Sequence, residues 1–216
     1  YLGRLDANVA VGDPRLAAVD GKETGAELTW RLNTQDSPVV PSRGVSVRTR
    51  MLYIFDGPVI DPPLPTTRSS DYLTQLETTG SYFRRVRSDD RVFVTWGFGT
   101  SFDKNPLQPQ QFRLGQPFRL GAYDVGELNG NHYYIGTAGY LPHVARLPDF
   151  LGGTIFAGAW LENGDAFDEW NNATFRSQAG VGVVADTLLG AVLVGGTAGF
   201  DGRWGWYITV GRFFNW

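Results

Sequence analysis

The sequence predicts an all-β fold, an antiparallel transmembrane β-barrel, with residues 1–216 as one domain. Three observations predict it. Residues 204–216 (W-G-W-Y-I-T-V-G-R-F-F-N-W) alternate with period two: Trp204, Trp206, Ile208, Val210, Arg212 and Phe214 share one face, and Gly205, Tyr207, Thr209, Gly211 and Phe213 the other. About ten segments alternate in this way, mostly over roughly 9–11 residues, a length that crosses a bilayer, whereas strands of soluble sheets commonly run to about 5–6. The connections between them tend to alternate between short and long, as they do in membrane barrels.

The first segment covers residues 1–12. The second, 24–33, sets Ala26, Leu28, Trp30 and Leu32 against Glu27, Thr29, Arg31 and Asn33. The third, 45–55, sets Val45, Val47, Thr49, Met51, Tyr53 and Phe55 against Ser46, Arg48 and Arg50. The fourth, 72–85, has Gln75, Glu77, Thr79 and Ser81 on its polar face. In the fifth, 92–102, Val92, Val94, Trp96 and Phe98 alternate with Phe93, Thr95, Gly97 and Gly99. The sixth is 132–141 and the seventh 154–163. The eighth, 175–186, opposes Ala179, Val181 and Val183 to Arg176, Gln178 and Gly180. The ninth, 191–200, is too rich in Gly for its faces to be assigned, and the tenth is the terminal segment.

Charged residues on the polar faces (Glu27, Arg31, Arg48, Arg50, Glu77, Arg176) would meet water in a two-sheet sandwich and the lumen in a membrane barrel. Period two fits both, and segment length favours the barrel. Aromatics near segment ends (Tyr1, Trp30, Tyr53, Phe55, Tyr72, Tyr82, Trp204, Phe214) suit interfacial girdles. Residues 87–91 and 187–190 read as tight turns, 56–71 and 103–130 as long loops, and 162–174 as intermediate. Residues 35–44 and 142–153 are long where a short turn is expected.

Composition narrows the class. Of 216 residues, 28 are Gly and 14% aromatic, with only 19% charged, a balance that suits strands better than helices. No apolar run approaches the roughly 18 residues of a transmembrane helix, which excludes an α-helical membrane protein. The absence of Cys excludes disulfides and thiolate metal sites. A net charge of −3 gives no basis for binding nucleic acid. With neither a signal peptide nor an initiator Met, the chain is expected to be processed or a fragment.

The terminal segment resembles the closing strand of bacterial outer-membrane barrels, which carries the assembly signal. That resemblance assigns Trp206, Ile208, Val210, Gly211 and Phe214 to an assembly strand. Residues 112–130 (F-R-L-G-Q-P-F-R-L-G-A-Y-D-V-G-E-L-N-G) resemble the inward-folding loop of the bacterial surface antigen superfamily of barrel-assembly factors and two-partner secretion transporters. The form L-G-x-P-F-R-L-x-x-Y-x-x-G-E-L-x-G is more similar to the C-terminal barrels of patatin-like phospholipase autotransporters. Residues 160–168 (W-L-E-N-G-D-A-F-D), 185–194 (A-D-T-L-L-G-A-V-L-V) and 36–44 (D-S-P-V-V-P-S-R-G) are similar to the strand after that loop, a later strand junction and a mid-barrel turn. Two departures stand out. Leu189 and Ala191 occupy positions usually held by proline, and Gly121 and Ala122 precede Tyr123 where assembly factors carry Arg directly before Gly-aromatic.

The resemblance implies a bacterial outer-membrane location, with outer-membrane lipids and the assembly machinery as partners. It implies an inward-folding loop at about residues 103–130, with Gly115, Pro117, Arg119, Gly121, Tyr123 and Glu127 as its motif. Glu162, in phase with Phe156, Gly158 and Trp160, is the expected partner of Arg119. A family barrel has about sixteen strands, within the range of known barrels. By motif order the segments here are the last ten. The remaining strands belong upstream or to a second chain, although ten strands could also close alone. The implied function is to anchor, and help export, an upstream patatin-like lipase domain. The alternatives are a transporter or assembly factor of the same superfamily and, less favoured, a soluble β-sandwich or barrel that binds a small ligand.

No catalytic residue, metal site or cofactor is expected in this chain. Asp165, Asp168 and Glu169 fit no defined calcium loop. His132 and His143 have no recognisable triad partner. The lipase signature G-x-S-x-G is absent, F-G-T-S at 98–101 is a poor substitute, and no helix follows the Gly-rich 195–199 to make a phosphate loop.

Overall fold

A computed structural model describes residues 2–7, 19–57, 72–102, 110–148, 152–187, 190–211 and 214. Tyr1, Leu189, Arg212, Phe213 and the 103–109 part of the loop lie outside the described residues. The elements are β1 (Leu2–Ala7), β2 (Val19–Asn33), β3 (Gly44–Asp56), β4 (Leu73–Arg87), β5 (Asp90–Ser101), β6 (Phe112–Leu114) and β7 (Leu128–Gly130). They continue with β8 (His132–Leu141), β9 (His143–Arg146), β10 (Gly152–Phe167), β11 (Arg176–Thr187), β12 (Gly190–Gly199) and β13 (Trp204–Gly211). Trp170–Asn172 make a 3₁₀ turn, and no helix among the described residues is long and apolar enough to cross a membrane.

Ten strands form one antiparallel ladder in the order β1-β2-β3-β4-β5-β8-β10-β11-β12-β13, with β9 paired beside β10. The ladder is open: β1 and β13 are not paired with each other among the described residues. Strand β8 falls on the expected 132–141. Strand β2 starts earlier than expected, at Val19, and β10 runs on to Phe167. Strand β9 lies inside the expected 142–153 connection, where Arg146 and Ala145 pair with Thr154 and Ile155 of β10.

Alternation sorts the side chains onto two unlike faces. Outward, Leu28 is 71% exposed and Trp206 72%, and Trp30, Met51, Leu161, Val181, Ile208 and Val210 are exposed as well. Inward, Gln75, Thr79, Ser81, Thr95, Thr137, Glu162, Gln178 and Thr197 are buried. Among the described residues no second sheet covers the apolar face. Burying one such side chain is worth about 1.5–3 kcal/mol, so an apolar belt of this extent calls for an apolar neighbour.

Glycines let large inward rings cross the wall. Trp160 lies over Gly180, where an added Cβ would come within 2.3 Å of the indole, and Phe93 lies over Gly139 at 2.4 Å. The same fit phases the Gly-rich β12: Leu193 and Thr197 are buried inward, Val194 is exposed, and Gly195 faces the Trp160 ring.

At the short-turn end these rings form a core with Val40, Phe83, Phe118, Phe156 and Phe214. Phe214 is therefore not on the exposed face with Trp206, Ile208 and Val210, and it does not belong to a girdle. The last strand ends at Gly211, whose φ of 127° breaks the alternation. The Phe214 ring packs 5.1 Å from Phe83 and 4.9 Å from Phe118.

The 34–43 connection, long where a short turn was expected, is compacted by one carboxylate. Asp36 accepts from the Ser42 N–H at 2.8 Å, the Arg43 N–H at 3.3 Å and the Ser42 hydroxyl. Burial alone would raise the Asp36 pKa, but these hydrogen bonds outweigh it and hold the group below the usual 3.8. A depressed folded value means that this contribution is complete above the unfolded pKa and lost as pH falls through the folded one. The turn is expected to loosen only below pH 3.8. Hydrogen exchange at the Ser42 and Arg43 amides checks this. Asp36→Asn should remove the acid step, and a step centred above the ordinary carboxylate value would contradict the assignment.

Candidate functional site

The connection between β5 and β8 turns back into the concave side of the sheet. Strands β6 and β7 pair as its neck, through Phe112 with Gly130 and Leu114 with Leu128. Beyond the neck, a four-residue turn closes at 116–119: the Arg119 N–H donates to the Gln116 carbonyl at 2.8 Å, and the Gly115 N–H to the Arg119 carbonyl at 2.8 Å. Pro117 suits the second position of such a turn. Phe118 follows with φ 62° and Leu120 with φ 64°, a left-handed conformation that costs a side-chain-bearing residue about 1–2 kcal/mol. The strained backbone directs both side chains to the concave side of the sheet, where each is fully buried.

Gly115 is required on two grounds. Its φ is 103°, and a Cβ would stand 1.9 Å from the Asp124 carbonyl oxygen. Gly115→Ala is expected to cost about 2–4 kcal/mol. Gly202→Ala, at φ 88° with nothing within 4 Å, carries only the conformational cost. Thermal unfolding followed by Trp fluorescence should show the first variant well below the second, and equal midpoints would refute the clash.

The loop rests on a shelf made by Glu162 of β10 and Gln178 of β11, which are direct cross-strand partners. Glu162 is 1% exposed. One of its carboxylate oxygens accepts from the Leu120 N–H, from the Gly121 N–H at 3.4 Å and from the Gln178 amide at 2.7 Å. The other accepts from the Trp160 indole at 2.8 Å. Gln178 in turn accepts from the Ala122 N–H at 3.1 Å, and Thr137 of β8 donates to the Phe118 carbonyl at 2.9 Å.

Glu162 meets the loop through the peptide N–H groups of Leu120 and Gly121. The Arg119 guanidinium lies instead over the Tyr133 ring, 5.2 Å from its centre, and the Tyr133 hydroxyl donates to Glu77 at 2.8 Å. The reason is the turn: its carbonyls and N–H groups are aligned by the left-handed residues, so Leu120 and Gly121 point their N–H groups at the carboxylate.

The other motif residues fasten the loop to the far rim. The Tyr123 hydroxyl donates to Asp201 at 2.7 Å, and Arg203 pairs with Glu127 at 2.6 Å while covering the Tyr123 ring at 4.7 Å. Burial and then the Asp201 bond raise the Tyr123 pKa, and the same bond, with the Arg203 N–H, lowers that of Asp201. Glu127 also accepts from the Asp124 N–H at 3.0 Å. Gly121 packs where a Cβ would come 2.9 Å from Tyr207. A polar cavity of about 390 Å³ remains between loop and wall, lined by Glu23, Arg50, Gln75, Glu77, Arg113 and Arg119 among others.

The remaining candidates have structural contacts. Asp165 accepts from Thr174 and pairs with Arg176 at 2.9 Å, and Asp168 accepts from Gln111 and the Asn131 N–H. His132 bonds Thr100 at 2.8 Å and stacks on Trp170, and the His143 N–H donates to Asp90. Both Glu162 oxygens face donors already in place, so the site's chemistry is fixation of a backbone segment. Sequence reasoning missed Trp160, Gln178, Phe118 and Asp201. Of these, Trp160 and Gln178 carried a signal, since each shares the inward phase of its strand. Compared with protein-family models and with curated proteins, the sequence matches none.

Proposed function

We propose that this chain is the wall and plug of a transmembrane β-barrel in a bacterial outer membrane, anchoring an upstream patatin-like lipase domain and helping its export. The observation that carries the reading is the pairing of an exposed apolar face with a polar concave face that holds an inserted loop. Lipid would cover the first, and an antiparallel ladder completed by further strands would satisfy every backbone group in the bilayer. The loop motif and its order relative to the 160–168 strand support the autotransporter form of the superfamily. On this reading lipolysis is the work of the upstream domain.

The test is fractionation of the protein from its source envelope, followed by intact mass and N-terminal sequencing. The reading expects the protein in outer membranes, resistant to carbonate extraction, with a mass well above 23.8 kDa and a G-x-S-x-G domain upstream. Solubility without detergent overturns it. Small repeated periplasmic domains upstream would replace the lipase anchor with a transporter or assembly factor.

A further inference from the structure

We propose that Arg31 and Arg48 form an oxyanion site on the concave wall, outside the loop shelf. The two residues are direct partners across β2 and β3. By alternation they share the face opposite Trp30 and Leu32, with Arg31 exposed and Arg48 half-buried. Opposed side chains in an antiparallel pair start about 4.5–5.5 Å apart at Cβ, and like charges so placed repel. One step along the wall, Arg50 is answered by Glu27 at 3.8 Å and by Glu77 at 3.6 Å. Among the described residues no carboxylate answers Arg31 or Arg48, and the Arg48 Nε is buried with no acceptor.

Two guanidinium forks on directly opposed residues can both reach one carboxylate or phosphate group with their N–H donors. The ligand is an oxyanion, bound by charge-assisted hydrogen bonds to both forks. It has two possible sources: a free anion in the lumen, or a carboxylate on a protein segment packed over this wall.

The sign of a stability change separates these sources. The full chain in non-ionic detergent is heated in phosphate and in chloride at equal ionic strength, alongside Arg31→Gln/Arg48→Gln and the exposed-turn control Arg43→Gln. A free-anion site predicts that phosphate raises the wild-type midpoint and that the double variant loses this response. Each lost charged contact weakens phosphate binding about tenfold. A protein carboxylate predicts no phosphate response and a lower midpoint for the double variant than for the control. If phosphate has no effect and the double variant is equal or more stable, as relief of unanswered repulsion requires, the site does not exist. None of these outcomes depends on the upstream domain or on export.

Discussion

Glu162→Ala is expected to release the inserted loop and lower stability by about 3–5 kcal/mol. Its carboxylate is the acceptor for the Leu120 and Gly121 N–H groups, the Trp160 indole and the Gln178 amide, all in a site closed to water. Removing it strands these buried donors together, and an unsatisfied buried donor costs about 1–3 kcal/mol, not additively. Glu162→Gln keeps one acceptor oxygen and turns an NH2 group toward the other donors, so an intermediate loss is expected. Arg119→Gln removes the guanidinium over the Tyr133 ring, a contact of about 0.5–2 kcal/mol, but leaves the Glu162 acceptor in place, so the loop is expected to stay seated. Limited chymotrypsin digestion in detergent reads the difference. Cleavage after Phe118 or Tyr123 should appear in Glu162→Ala and stay slow in wild type. If Arg119→Gln unfastens the loop as fully as Glu162→Ala does, the backbone anchor is wrong.

Phe118→Ala should be comparably severe, at about 3–5 kcal/mol. The ring is fully buried and meets Phe93 at 5.6 Å, Trp160 at 4.8 Å and Phe214 at 4.9 Å. Its removal leaves a ring-sized void at the short-turn end. Phe118→Gly deletes the same ring but relieves the φ of 62°, so it should be about 1 kcal/mol more stable than Phe118→Ala. Denaturant midpoints of the three proteins give this order. An alanine variant as stable as the glycine variant would mean that the left-handed backbone stores no strain.

Much of the wall was legible because alternation is a property of neighbouring residues. Leu28, Trp30 and Leu32, or Trp206, Ile208 and Val210, announce their common face without reference to any partner. Strand β12 was not legible in this way, because a glycine has no side chain to assign. Its phase is fixed from outside, by the Trp160 ring two strands away. The extension of β2 to Val19 and the existence of β9 depend on ladder partners, which no local pattern records. At the site, the spacing and resemblance brought Glu162 to the loop, but nothing in the string of letters shows that Leu120 is left-handed and turns its N–H outward. Charge complementarity therefore suggested Arg119, and peptide geometry selected the main chain. Phe214 escaped because β13 ends at Gly211, and a period-two pattern carries no information beyond the end of its strand.

The contact between Phe118 and Phe214 has a consequence for the order of folding. Most pairs in the ladder join consecutive strands, so the wall can grow hairpin by hairpin at little cost in chain closure. The ring cluster is different, since it draws β5, β10, the inserted loop and the residue beyond β13 to one point. Phe118 gains its full packing surface only when Phe93, Trp160 and Phe214 have been brought together. Seating of the loop tip is therefore expected to finish late, together with the docking of Phe214.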